Sequence, residues 1–167
     1  MEAWSNFYIL TGTAAATLIG LMFIALTFGA KLVTPETVGL TRWILSPIIY
    51  HFAHAFLLAC LALVPDNAPL LVGAAAIITA VYRLIKIPIL IKQLKKAEQD
   101  HHDIELSDWI LDIVIPIILY AALTINGLAL LNNLEWSQSG IAFSVVALLF
   151  LGFMSAWDML IWMAMQI

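Results

Sequence analysis

The chain has 167 residues, 63% hydrophobic and 11% charged, with seven Lys and Arg against eleven Asp and Glu for a net charge of −4. A chain of this length has too little interior to hide so much apolar surface from water, which excludes a soluble domain and leaves a single membrane domain over residues 1–167 whose partner is the lipid bilayer. Nucleic-acid binding has no basic patch to support it, and Cys60, the lone cysteine, cannot form an intramolecular disulfide.

Five apolar runs follow one another: Asn6 to Ala30, Arg42 to Val64, Leu70 to Ile91, Asp108 to Leu131 and Gly140 to Met165. Each reaches the length of about 20 residues that an α-helix needs to cross a hydrocarbon core about 30 Å thick. The expected fold is therefore an all-α integral membrane protein with five transmembrane helices. Five crossings put every basic residue at one side: Lys31 and Arg42 flank the first inner turn, Lys92, Lys95 and Lys96 follow the third run, and Arg83 and Lys86 lie in the half-helix leading to them. Glu2, Asp66 and Glu135 fall on the other side. The positive-inside rule then places the N-terminus outside and the C-terminus in the cytoplasm. No basic residue precedes Lys31 and the first run exceeds a signal-peptide core, so the first helix is expected to be retained.

In the first helix Trp4, Phe7 and Tyr8 form an aromatic anchor for the outer interface. Gly12, Ala16 and Gly20 make a small-xxx-small ladder, the expected contact of a homo-oligomer. Asn6, Thr13, Thr17, Gly20 and Thr27 share a second stripe with Lys31. That stripe either lines a polar path or packs with its hydroxyls bonded to their own backbone. The block Phe7-Tyr8, Gly12-Thr13-Ala14-Ala15-Ala16 and Gly20-Leu21-Met22-Phe23 resembles the opening of a set of small, uncharacterised bacterial multi-pass membrane proteins. The resemblance lies mainly in this helix; it implies the bacterial inner membrane and no particular activity.

In the second helix Pro47 removes the bond to the Trp43 carbonyl, and His51 and His54 follow at i+4 and i+7. The third carries Arg83, Lys86 and Pro88 and is expected to continue into the cytoplasm to about residue 99, because the residues from Lys92 to Gln99 are strong helix formers. His101, His102 and Asp103 mark a solvated bend. Ser107 is an N-cap candidate for the fourth helix, where Asp108 and Asp112 face the positive end of its dipole and Pro116, Tyr120 and Asn126 continue a polar side. The fifth places Gly140, Ser144, Ser155 and Asp158 on roughly one face and ends near Trp162.

At a rise of about 1.5 Å per residue, Arg83 and His51 lie about 12 Å from the cytoplasmic ends of their helices, Asp158 about 10 Å, Lys86 about 8 Å and Asp112 about 5 Å. Four helices thus place ionisable groups in one layer. Asp158 opposes its own helix dipole and is expected to pair with Arg83 or Lys86. Arg83, Lys86, Asp112 and Asp158 read either as two ion pairs that fix packing or as a polar vestibule or proton path, with Pro47, Pro88 and Pro116 loosening the same end.

His51 and His54, three residues apart, share a face. They read as a hydrogen-bonded core pair, as a pH gate, since an unperturbed imidazole titrates near pH 6.5, or as metal ligands with Asp112 or Asp158. A bis-histidine haem needs histidines on different helices, so no cofactor and no metal is expected. Nucleophile, phosphate-loop, dinucleotide and zincin motifs are missing, which leaves an enzyme without a supporting pattern, and the helices form no internal repeat. The expected function is a homo-oligomeric small ion channel or proton-coupled permeation protein of the inner membrane. The alternatives are an accessory protein that binds another membrane protein through residues 92–105, and a membrane redox or metal protein using His51 and His54.

Overall fold

The computed structural model describes residues 4–29, 38–66, 68–100 and 109–165; Glu2, Lys31, the bend at His101, His102 and Asp103, and Ser107 and Asp108 lie outside the described residues. The architecture is α1 (Ser5–Gly29), α2 (Val38–Ala62), α3 (Ala68–Asp100), α4 (Ile115–Leu131) entered through a π-helical turn at Ile110–Val114, and α5 (Ser137–Met165), with no strand among the described residues. Runs of Leu, Ile, Ala and Phe become helices here because hydrocarbon offers a backbone amide no partner outside its own segment. Four helices are long and apolar enough to cross a membrane: α1, α3 as far as Lys92, the π turn with α4, and α5 as far as Ile161. In α2, whose side chains are described from Pro47 onward, the apolar stretch Pro47–Ala62 fills that described part, and the helix itself has 25 residues.

Two of the prolines sit inside helices, Pro47 in α2 and Pro88 in α3, and α3 runs on past its apolar part to Asp100. Pro116 is handled differently. The N–H of Ile115 bonds to the Ile110 carbonyl, five residues back, so the ladder has already slipped by one residue where the proline removes a donor.

α2 is the central helix, packed on α1, α3 and α5, while α4 packs on α3 and α5. Ile48, Phe52, Ala55 and Ala59 recur at helical spacing on α2 and are buried with Val72, Ala76 and Ala80 of α3, Leu123 of α4 and Val145 and Leu148 of α5. Between helices in lipid, close packing rather than water exclusion drives association, so small residues mark the contacts. Backbone meets backbone between α3 and α4. A Cβ on Gly73 would stand 3.1 Å from the Gly127 carbonyl oxygen, and one on Gly127 would stand 2.9 Å from that of Gly73.

α4 ends in a Schellman turn: Asn133, in the left-handed region at φ 56°, donates to Leu130, and Leu134 donates to Ala129. The outward faces carry Leu10, Phe28, Ile78, Ile118, Phe143 and Phe150, all largely exposed. So broad an apolar exterior is the surface of a protein solvated by lipid.

Candidate functional site

Two buried histidines converge on one atom, while a separate polar pair, Asn126 and Ser144, meets at the Gly140 carbonyl between α4 and α5. α2 buries His51 and His54, and α4 brings Tyr120 between them. The Nδ1 atoms of both histidines lie 2.9 Å from the Tyr120 hydroxyl. The His51 ring is stacked on the tyrosine at 5.7 Å between centroids, and the His54 ring meets it edge-on at 5.6 Å. All three side chains are buried.

A phenol hydroxyl donates one proton, and a neutral imidazole donates from one nitrogen and accepts at the other. Tyr120 can donate to one Nδ1 while accepting from the other, an arrangement that puts two neutral rings in opposite tautomers; the two lone pairs of the hydroxyl equally allow it to accept from both. In the first arrangement, passing a proton along the line Nδ1–H, Oη–H, Nδ1 turns the first ring into an imidazolate and the second into an imidazolium. The tautomers exchange with both rings neutral only when a proton also enters at Nε2 of the first ring and one leaves from Nε2 of the second. The arrangement has the donors and acceptors of a proton relay between α2 and α4, with the two Nε2 atoms as the ends through which protons would have to enter and leave.

Arg83 reaches this cluster from α3. It is only 7% exposed, its guanidinium carbon lies 5.0 Å from the centroid of Tyr50 and 5.8 Å from that of Tyr120, and its buried Nε has no hydrogen-bond partner among the described residues. Tyr50 continues outward to Tyr82 at 6.1 Å, and Lys86 Nζ stands 5.6 Å over the Tyr82 ring. Two cations thus bracket a pair of tyrosines along the α2–α3 seam.

Of the layer expected at the cytoplasmic end, only Arg83 joins the histidines. Lys86 is exposed, Asp112 is half-buried in the π turn, and Asp158 lies on an exposed side of α5. Both aspartates have interactions of their own. α3 packs chiefly on α4 and α2 rather than on α5, the helix of Asp158.

On α1, Asn6, Thr13, Thr17, Gly20 and Thr27 all lie on exposed surface, outside the bundle of one chain. The hydroxyls of Thr13, Thr17 and Thr27 donate to the carbonyls of Ile9, Thr13 and Phe23 in their own helix. The small-residue ladder divides: Gly12 is buried with its Cβ position 3.2 Å from Ala59 Cβ of α2, whereas Ala16 and Gly20 remain exposed. Between α1 and α2 runs a groove of about 340 Å³ lined by Tyr8, Gly12, Thr13, Thr17, Phe56 and Cys60.

The described residues hold no group of three or more His, Cys, Asp or Glu side chains suited to a metal ion. Tyr120 itself was part of the polar side of α4 in the sequence, but its role as the partner of both histidines had no local signal. The fold and site define a multi-helix membrane protein with a buried His–Tyr–His cluster under an arginine. Comparison with protein families, with curated proteins and with solved structures finds no match to this chain.

Proposed function

We propose that this chain is a proton-coupled permeation protein, in which His51, Tyr120 and His54 form the relay and Arg83 is a fixed positive charge beside it. The observation that carries this reading is the single tyrosine hydroxyl held at 2.9 Å by two buried histidines from another helix. Ionisable groups inside a bilayer mark ion or proton pathways by default. α2 is the fifth crossing in this reading: its 25 residues reach about 37 Å, and helices on three sides shield its histidines from lipid. The one-sided basic residues support a reading with the N-terminus outside and the C-terminus in the cytoplasm, and the resemblance of the first helix supports a bacterial inner membrane as the location. Ala16 and Gly20, exposed on α1, form the contact with a second copy.

Reconstituted in liposomes under a potassium diffusion potential, the protein is expected to carry protons faster than empty liposomes do. Tyr120→Phe and the His51→Gln, His54→Gln double variant should return the rate towards that of the empty liposome. Wild-type flux no greater than background would overturn the proposal. It would favour an accessory role instead, for which the supporting feature is the continuation of α3 about 12 Å beyond Lys92.

A further inference from the structure

We infer that Arg83 binds a phosphate-class oxyanion at the seam of α2 and α3, with Lys86 at the outer end of the site. The inference concerns binding and goes beyond the relay, because it requires no proton to move.

The starting point is a cation for which no ion pair is found among the described residues. Arg83 is buried in the apolar part of α3, and what faces it is aromatic: Tyr50 at 5.0 Å and Tyr120 at 5.8 Å from the guanidinium carbon. Ring faces attract a guanidinium through their quadrupole and the Tyr120 hydroxyl is a neutral acceptor for it, yet neither brings a negative charge. The histidines that share Tyr120 bring none either. Nε, buried and without a partner among the described residues, is one arm of the fork by which arginine holds two oxygens of one oxyanion.

Lys86 supplies a second cation one turn further along the same face. It is exposed, and its Nζ stands 5.6 Å over Tyr82, itself 44% exposed and 6.1 Å from Tyr50. The sequence of groups Lys86, Tyr82, Tyr50, Arg83 therefore leads from the lipid-facing surface to the buried guanidinium. From Lys92, Lys86 is about 9 Å along the helix and Arg83 about 14 Å. A lysine at that depth extends its ammonium toward the interface, where lipid phosphates lie. Two like charges so near each other are stable together when an anion is shared between them. Tetrahedral phosphate oxygens suit this pair, a fork on one side and a point charge on the other. The same chemistry is offered by the headgroup of an anionic phospholipid and by inorganic phosphate.

The test uses the full-length protein, delipidated in a zwitterionic detergent, with thermal unfolding as the readout. In one arm inorganic phosphate is titrated against chloride at matched ionic strength; in the other, nanodiscs of phosphatidylcholine are compared with nanodiscs containing phosphatidylglycerol. A rise in Tm with phosphate identifies a soluble oxyanion, and a rise only with phosphatidylglycerol identifies a lipid headgroup. Either supports the site provided that Arg83→Gln abolishes the shift and Lys86→Gln weakens apparent affinity by about ten-fold, as expected for one lost charge-assisted contact. Arg83→Lys keeps the charge and loses the fork, so it should retain a reduced shift, which separates lost binding from lost folding. Lys95→Gln, on the exposed continuation of α3, is the control and should behave as wild type. The same shift in wild type and Arg83→Gln, or no shift in either arm, overturns the inference. Neither result depends on proton flux, so failure of the relay and failure of this site are distinguishable.

Discussion

Two buried tyrosines make opposite demands on the bundle, and their hydroxyls are the sharpest probes of it. Tyr120 serves two histidine nitrogens at once, so Tyr120→Phe strips two buried groups of their partner and should cost about 1–3 kcal/mol. Reversible unfolding in mixed micelles measures this. The loss should shrink when His51 and His54 are already leucine; an equal loss in both backgrounds would show that the hydroxyl contributes elsewhere. Tyr8 is fully buried but its hydroxyl has no partner among the described residues. Burying an unbonded hydroxyl is unfavourable, so Tyr8→Phe should be neutral or slightly stabilising in the same assay. The three-residue spacing of His51 and His54 was enough to put both on one face of a helix. Their partner was not legible, because Tyr120 lies 66 and 69 residues away and no local periodicity reaches that far. Asp158 was expected to pair with Arg83 or Lys86; of these, Arg83 stands beside the rings of Tyr50 and Tyr120. A guanidinium is planar and weakly hydrated and therefore stacks, a preference that depends on what the neighbouring helices present and leaves no trace in spacing along α3.

At the scale of helices, hydropathy and length located the apolar runs, because in lipid an unbroken apolar stretch has few structural options. Where backbone meets backbone was another matter. The ladder on α1 drew attention through its repeated four-residue step, yet such a crossing is at Gly73 and Gly127, one glycine on each of α3 and α4, with no repeat to signal it. Gly127→Val places a Cβ 2.9 Å from the Gly73 carbonyl oxygen, and overpacking of this kind should destabilise the fold by about 1–3 kcal/mol. Gly20→Val is the informative contrast, since nothing lies within 4 Å of a Cβ there. It should leave the stability of the single chain unchanged and alter only self-association, read by cross-linking in the membrane. Loss of folding in both variants would mean that the two glycines do not differ in the way the packing requires. The π turn before Pro116 was likewise not legible beyond the proline itself, because the slip of the ladder depends on how α4 seats against α3.

For the whole molecule, topology hinges on α2. Four helices qualify as spans by length and composition; α2 is 25 residues long with its side chains described from Pro47 onward, so the side of the N-terminus is a question of whether α2 crosses. Its position speaks for crossing: it contacts α1, α3 and α5 along a buried stripe from Ile48 to Ala62. A helix surrounded by spanning helices needs less apolar surface of its own than one facing lipid. If α2 crosses, residue 5 and the turns at Asp66 and Glu135 share the outer side, while Lys95 lies in the cytoplasm. If it does not, residue 5 moves to the side of Lys95, and the turns at Asp66 and Glu135 stay together because α3 and α4 still intervene. Single cysteines at Ser5, Asp66, Glu135 and Lys95, each in a Cys60→Ala background, distinguish these cases through labelling of spheroplasts with a membrane-impermeant maleimide. Ser5→Cys, Asp66→Cys and Glu135→Cys should react in intact spheroplasts and Lys95→Cys only after lysis. Reaction of Ser5→Cys only after lysis, with Asp66→Cys and Glu135→Cys reactive before it, would remove α2 from the spans and with it the membrane path of the histidine relay.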